Sequence, residues 1–242
     1  MNLLSHFACA RHLTPLEQAG SALGDLLPLY RRRVRPLPLV WHWARVARAD
    51  SPEGRIASGV RFHLHVDSRF HRDALFLNGS AAIQSALREA SAAPGLKRFF
   101  PAHVLTELFL DHLLILDDPE LPDAFYALFA GELPDVLADF AAAHPEADRT
   151  EFATFLERFM ADRFLDGYRD VEGILWRMQR MLGRFGQRQL DRAEESAVLG
   201  AFDLLAARTQ PQLLQFVAAM RHAEWGRAEA GPAPLAETAT RA

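Results

Sequence analysis

Along most of the chain apolar residues recur three and four positions apart, the spacing of one helix face, and short polar breaks with helix-starting residues separate the stretches. Leu3, Leu4, Phe7 and Ala8 predict a short helix within residues 1–12, with Ser5 and His6 between them. Thr14, Pro15 and Glu17 read as the N-cap, first position and capping acid of a second helix, which runs toward Leu27 and presents Asp25 beside Gly24. Arg31, Arg32, Arg33 and Arg35, closed by Pro36 and Pro38, lie at the edge of this unit or in a loop, followed by Trp41-His42-Trp43 and a polar break at 49–54. Ser51-Pro52 starts the next helix, roughly 54–72, on which His63, Asp67 and His71 share a face and His65 lies on the other side.

Asn78-Gly79-Ser80 reads as a break, with Ser80 capping a helix that reaches about Ala92 and ends at Pro94-Gly95. Pro101 opens an apolar helix to Leu116, stopped by Asp117-Asp118-Pro119-Glu120; a helix to Ala130 and another from Leu133-Pro134-Asp135 to Ala143 follow, before His144-Pro145 breaks the pattern. From Arg149 the chain is long and helical, with Phe152, Phe155, Phe159 and Leu165 on an apolar face. Arg180, Arg184, Arg188 and Arg192 then recur as a basic stripe that Arg177 thickens and that Gly183 and Gly186 could kink. Helices at about 193–207 and 210–225 complete the pattern, and the tail 227–242 reads as disordered. With no convincing alternating strand, no phosphate-binding glycine loop and no GxSxG elbow, the prediction is an all-α, single-domain helical bundle spanning residues 1–226.

Composition changes this picture little. The chain has 242 residues, half of them apolar, with a formal net charge of −4, which argues against a general nucleic-acid binder. Cys9 is the only cysteine, so an intramolecular disulfide or a multi-cysteine zinc site is excluded and a reducing compartment is expected. The N-terminal stretch lacks a basic n-region and no apolar run is read as membrane-spanning, so the expectation is a cytoplasmic protein. Its oligomeric state is open.

Candidate chemistry concentrates on the apolar helix at 101–116. His103, Glu107 and Asp111 stack on one face, each a turn beyond the last, and His112 sits about 100° round. Carboxylates among leucines need a compensating partner, and a divalent cation is one. The alternative is that this stripe is the wet face of an amphipathic helix, with His112 a satisfied core histidine. His63-x-x-x-Asp67 is likewise a competent ligand spacing that also arises by chance.

Taken together, the segments resemble the acyl carrier protein phosphodiesterase family, a helical group related to the HD-domain metal-dependent phosphohydrolases. The opening MNLLSHF, Gly20-x-x-x-x-Asp25, Gly59-Val60-x-x-His63-x-x-x-Asp67, Glu107-x-x-x-Asp111-His112, and Tyr168-Arg169-Asp170 with Arg184 carry the resemblance through their order and spacing. It implies an HD-domain-like fold and hydrolysis, aided by Mn²⁺ or Mg²⁺, of the phosphodiester that joins 4′-phosphopantetheine to a serine of holo acyl carrier protein. It further implies Asp25, His63 and Asp111 as catalytic residues and Asp25, His63, Asp67, Asp111 and His112 as metal ligands, with His6 a weaker candidate. Leu64, Ser21, His71 and Glu107 depart from the family pattern; Leu64 stands where an arginine that could hold a phosphate is expected.

Arginine at 31–35 and along 177–192 predicts a docking surface for an acidic carrier protein, with Arg184 and Arg188 as substrate-binding residues, against the alternative of a solvated face. Two further readings stand beside the carrier-protein hydrolase. One is a metal-dependent phosphohydrolase of a small phosphoester or nucleotide; the other is a non-catalytic helical interaction protein.

Overall fold

Helix starts follow the capping logic of the sequence. In the computed structural model, which describes residues 1–90 and 99–223, α1 spans Leu3–Ala10, α2 Pro15–Tyr30, α3 Pro36–Val46 and α4 Pro52–Phe70. Glu17 accepts hydrogen bonds from the Thr14 N–H (3.1 Å) and hydroxyl (2.8 Å), and Ser51 accepts from the Gly54 N–H (3.2 Å), so prolines 15 and 52 open their helices behind satisfied caps. α5 is Ala74–Ala90, α6 Phe99–Asp117, α7 Leu121–Ala127, α8 Leu133–Ala141 and α9 Arg149–Asp162; a 3₁₀ segment, Phe164–Arg169, leads into α10, Val171–Arg184, and α11, Arg192–His222. No strand occurs among the described residues, and the fold is all-α in one domain. The expected tail, 227–242, and the Pro94-Gly95 stop lie outside the described residues.

Three boundaries differ from the sequence pattern, each because packing overrides a local signal. Asn78-Gly79-Ser80 does not break the chain: Leu75, Phe76, Gly79, Ile83 and Leu87 are buried at helical spacing, and a side chain at Gly79 would press on Thr106 of α6, so the helix continues through the triplet. The two C-terminal helices are one, since Pro211 sits inside α11, where the missing N–H forfeits one ladder bond while Leu213, Phe216, Val217 and Met220 bury beyond it. Trp41-His42-Trp43, read only as a segment after the arginine cluster, lies inside a helix, α3, which opens at Pro36 directly behind that cluster.

α6 lies at the centre of the bundle, against α5, α10, α11, α1, α7 and the 3₁₀ segment. Contrary to the sequence reading, it is long and apolar enough by itself to cross a membrane; here most of it is buried inside the bundle. α1 is buried over its whole length. α2 and α4 pack backbone against backbone: a Cβ at Gly20 would overlap the carbonyl of Ile56, and one at Gly59 would overlap the carbonyl of Glu17. Both positions must lack a side chain for the two backbones to meet. Gly59→Ala should therefore cost about 1–3 kcal/mol by overpacking. Gly200→Ala on α11, where a Cβ meets nothing, should be neutral or gain about 0.5–1 kcal/mol from helix propensity. Chemical denaturation of the two variants checks the contrast.

Candidate functional site

Four elements converge on one polar cluster. α1 supplies His6, α2 supplies Asp25, α4 and its C-terminus supply His63, Asp67 and His71, and α6 supplies His103 and Glu107. The α2–α4 pairing makes the first half possible. A Cβ at Gly24 would fall inside the His63 imidazole, so glycine beside Asp25 lets that ring lie flat on α2.

The first group is His6, Asp25 and His63, each offering a donor atom, with all three atoms within 4.8 Å of one another. His6 Nδ1 lies 3.0 Å from Asp25 Oδ2, and the His6 and His63 rings are 3.9 Å apart between centroids. His6 Nε2 and His63 Nδ1 are buried and have no hydrogen-bond partner. Burial pushes His6 down to about 3 and His63 down to about 4, so both imidazoles are neutral at physiological pH, and it pushes Asp25 up to about 6. Neutral imidazole lone pairs beside a carboxylate, buried and unpartnered, are a donor set for a divalent metal.

The second group is His71, His103 and Glu107. Glu107 Oε1 lies 3.2 Å from His71 Nε2 and 3.1 Å from His103 Nε2, and the two nitrogens are 3.2 Å apart. Asp67 joins the groups: its Oδ2 is 3.3 Å from His71 Nδ1 and its Oδ1 is 4.0 Å from His6 Nε2. The Met1 ammonium donates to Asp67 and Glu107, at 3.0 Å each. Burial would raise both acids, but the ammonium and the His71 contacts, with His103 at Glu107, hold them well below the usual carboxylate range. Hydrogen bonds to Asp67 and Glu107 lift His71 to about 9. Asp67 is 36% exposed and His103 30%, against 1% for His6, so the cluster opens to solvent along this edge.

Asp25, His63 and Asp67, expected from the sequence, are thus brought together with His6. Asp111 and His112 are not members of either group. Both oxygens of Asp111 face the N-terminus of α1: Oδ1 accepts from the Ser5 N–H (2.8 Å) and hydroxyl (2.5 Å), and Oδ2 from the Leu4 N–H (3.3 Å). A helix that starts inside the protein has no water to satisfy its first N–H groups, and this carboxylate replaces it. His112 Nδ1 donates to the Tyr168 carbonyl at 2.8 Å. His71, His103 and Glu107 were not in the expected ligand set, although the i, i+4 pairs 67/71 and 103/107 were visible; what sequence could not show is that the ends of α4 and α6 meet.

The arginines divide in the same way. Arg31 pairs with Glu151, and Arg188, expected to bind substrate, is committed to the fully buried Glu194 at 2.6 and 2.7 Å. Arg184 instead lines a groove of about 730 Å³ with Arg32, Arg35, Arg177, Arg180 and Phe185, walled by Pro28 and Leu29 one turn along α2 from Asp25. No carboxylate among the described residues lines it, and Arg32 and Arg180 lie over the faces of Phe185 and Trp176. Leu64 lines a separate cleft between α4 and α11, of about 1180 Å³, with His65, Arg69 and Arg72.

The described residues thus form an all-α bundle with an imidazole–carboxylate cluster open on one edge and an arginine-lined groove beside it. A family model described as acyl carrier protein phosphodiesterase matches residues 1–219, and the chain belongs to that family. The family carries phosphodiester hydrolysis as its activity and acyl carrier protein as its substrate partner. No curated protein and no solved structure matches the chain.

Asp111 gives a pH test. Burial pushes its carboxyl up to about 7 despite the hydrogen bonds from Ser5 and Leu4 that pull it down. The ordinary value is about 3.9, so the folded state binds this proton more tightly; the resulting stability is full below about 3.9 and is lost as pH rises through about 7. Asp111→Asn cannot ionise. The difference in melting temperature, wild type minus variant, should therefore fall between pH 5 and 8, a trend that calorimetry across that range would detect.

Proposed function

We propose that the chain uses a divalent metal, Mn²⁺ or Mg²⁺, to hydrolyse the phosphodiester of holo acyl carrier protein, releasing 4′-phosphopantetheine. The observation that carries this reading is the convergence of His6, Asp25 and His63, with a buried nitrogen on each imidazole, His6 Nε2 and His63 Nδ1, left without a partner. The residues fit an ion. Asp25 is ionised at physiological pH and lies 3.0 Å from His6 Nδ1, and Asp67 offers a half-exposed carboxylate at the mouth. When bound, such an ion neutralises phosphate oxygens and makes hydroxide available near neutral pH by lowering the pKa of its water. In this reading the water oxygen joins phosphorus, the bond from phosphorus to the serine oxygen breaks, and the serine leaves protonated on apo carrier protein.

In the same reading Asp111 is a positioning residue. It seats α1, and α1 carries His6 into the cluster. The arginine groove receives the acidic face of the carrier, with Arg184 among its contacts and Arg188 outside them.

Chelator-stripped protein should lose release of 4′-phosphopantetheine from holo carrier protein and regain it with Mn²⁺, while His63→Ala and Asp25→Asn remain inactive with helicity intact. Full activity in either variant would overturn the metal placement. Arg180→Glu combined with Arg184→Glu should raise KM for the carrier several-fold and leave a small model diester unaffected. The same KM should climb with salt as the Debye length falls from about 10 Å at 0.1 M to about 3 Å at 1 M. Arg188→Glu should instead lower the melting temperature, because it leaves Glu194 buried without its cation.

A further inference from the structure

We infer that His71, His103 and Glu107 form a second cation site, taking a divalent transition-metal ion next to the first, so that the cluster is a two-ion centre with Asp67 between its halves. The existence of this site rests on its own geometry; only its part in hydrolysis rests on the reading of the first group.

Three donor atoms converge here. The separations are 3.2 Å between His71 Nε2 and His103 Nε2, 3.2 Å between His71 Nε2 and Glu107 Oε1, and 3.1 Å between His103 Nε2 and Glu107 Oε1. Ligands bound at about 2.1 Å from one ion are separated by roughly 3.0 Å at right-angled positions and 3.4 Å at tetrahedral ones. The triangle therefore has the edge lengths of a coordination polyhedron.

Proton accounting points the same way. His71 Nδ1 lies 2.9 Å from the Asp67 backbone oxygen, which can only accept, so Nδ1 carries the hydrogen. Nε2 is thereby the ring atom that can bind an ion, in place of the proton it otherwise shares with Glu107 Oε1 at 3.2 Å. A backbone carbonyl holding the far nitrogen is also the usual arrangement behind a metal-bound histidine.

The rings are set before any ion arrives. His71 and His103 stack at 4.9 Å, and the edge of Phe76 abuts both, at 4.7 and 4.8 Å. His71 is 29% exposed, His103 30% and Glu107 17%, so part of the coordination sphere faces solvent and can take water or a phosphate oxygen. Two imidazoles and one carboxylate favour Mn²⁺, Fe²⁺, Co²⁺ or Zn²⁺ over the all-oxygen preference of Mg²⁺ and Ca²⁺.

The test is metal stoichiometry on full-length protein, chelator-treated, loaded with Co²⁺ or Mn²⁺, dialysed and analysed for bound metal. Wild type should hold about two ions per chain. His103→Ala and Glu107→Gln should each hold about one, and the visible Co²⁺ absorption should lose one component in both. His63→Ala should also hold about one, but lose the other component. The variants bear on partly exposed side chains, and unchanged circular dichroism verifies their folding. Wild-type stoichiometry in folded His103→Ala and Glu107→Gln, or one ion in wild type that neither variant removes, would overturn the second site. Loss of an ion in His103→Ala with none lost in His63→Ala would support this site while overturning the placement of the first ion.

Discussion

The close approach of α2 and α4 is the constraint on which the site depends. Two helices that meet through ordinary side chains sit about 8–10 Å apart. Gly20 and Gly59 remove the side chains where these backbones touch, and Gly24 clears the volume that the His63 ring occupies. Only at that separation can a short aspartate on one helix and a histidine on the other face a common point, with His6 stacked on His63. A longer acid in place of Asp25 on more widely spaced helices would cross the same gap, but with additional rotors to freeze. The glycines thus exchange helix propensity for a rigid donor geometry.

A second dependence runs through α1. Burying an entire helix from its first turn leaves N–H groups that no water can reach, and Asp111 answers them from the centre of α6. The same helix carries His6 and places the Met1 ammonium against Asp67 and Glu107. The cluster is electrostatically divided as a result. Its inner half holds neutral imidazoles, kept so by burial, and its outer half holds ionised carboxylates, kept so by cationic neighbours. The inner imidazoles and the outer carboxylates have no proton to lose when a cation binds, whereas His71 must give one up.

The fold class was legible because the apolar period of 3.6 recurs in nearly every segment and the caps at Thr14 and Ser51 are local chemistry. The misplaced boundaries, at Asn78-Gly79-Ser80 and Pro211, are positions where turn residues are held in helices by neighbours remote in sequence. Asp25, His63 and Asp67 could be nominated through resemblance, and Gly20, Gly24 and Gly59 lay inside those motifs without showing what they were for. Asp111 drew attention for a sound reason, since a buried carboxylate needs a partner; sequence could not reveal that its partner is a helix end. Arg188 and Arg184 look alike on a helical stripe, and only the fold separates a residue bound to Glu194 from one lining an open groove.

The central claim is that a metal ion sits between α1, α2 and α4. The most direct measurement is an anomalous difference map, recorded at the manganese edge, from crystals of the chain grown with Mn²⁺. A peak bounded by the His6 and His63 imidazoles and the Asp25 carboxylate is the predicted result. A map with no peak there, from protein that hydrolyses holo acyl carrier protein under the same conditions, would contradict it.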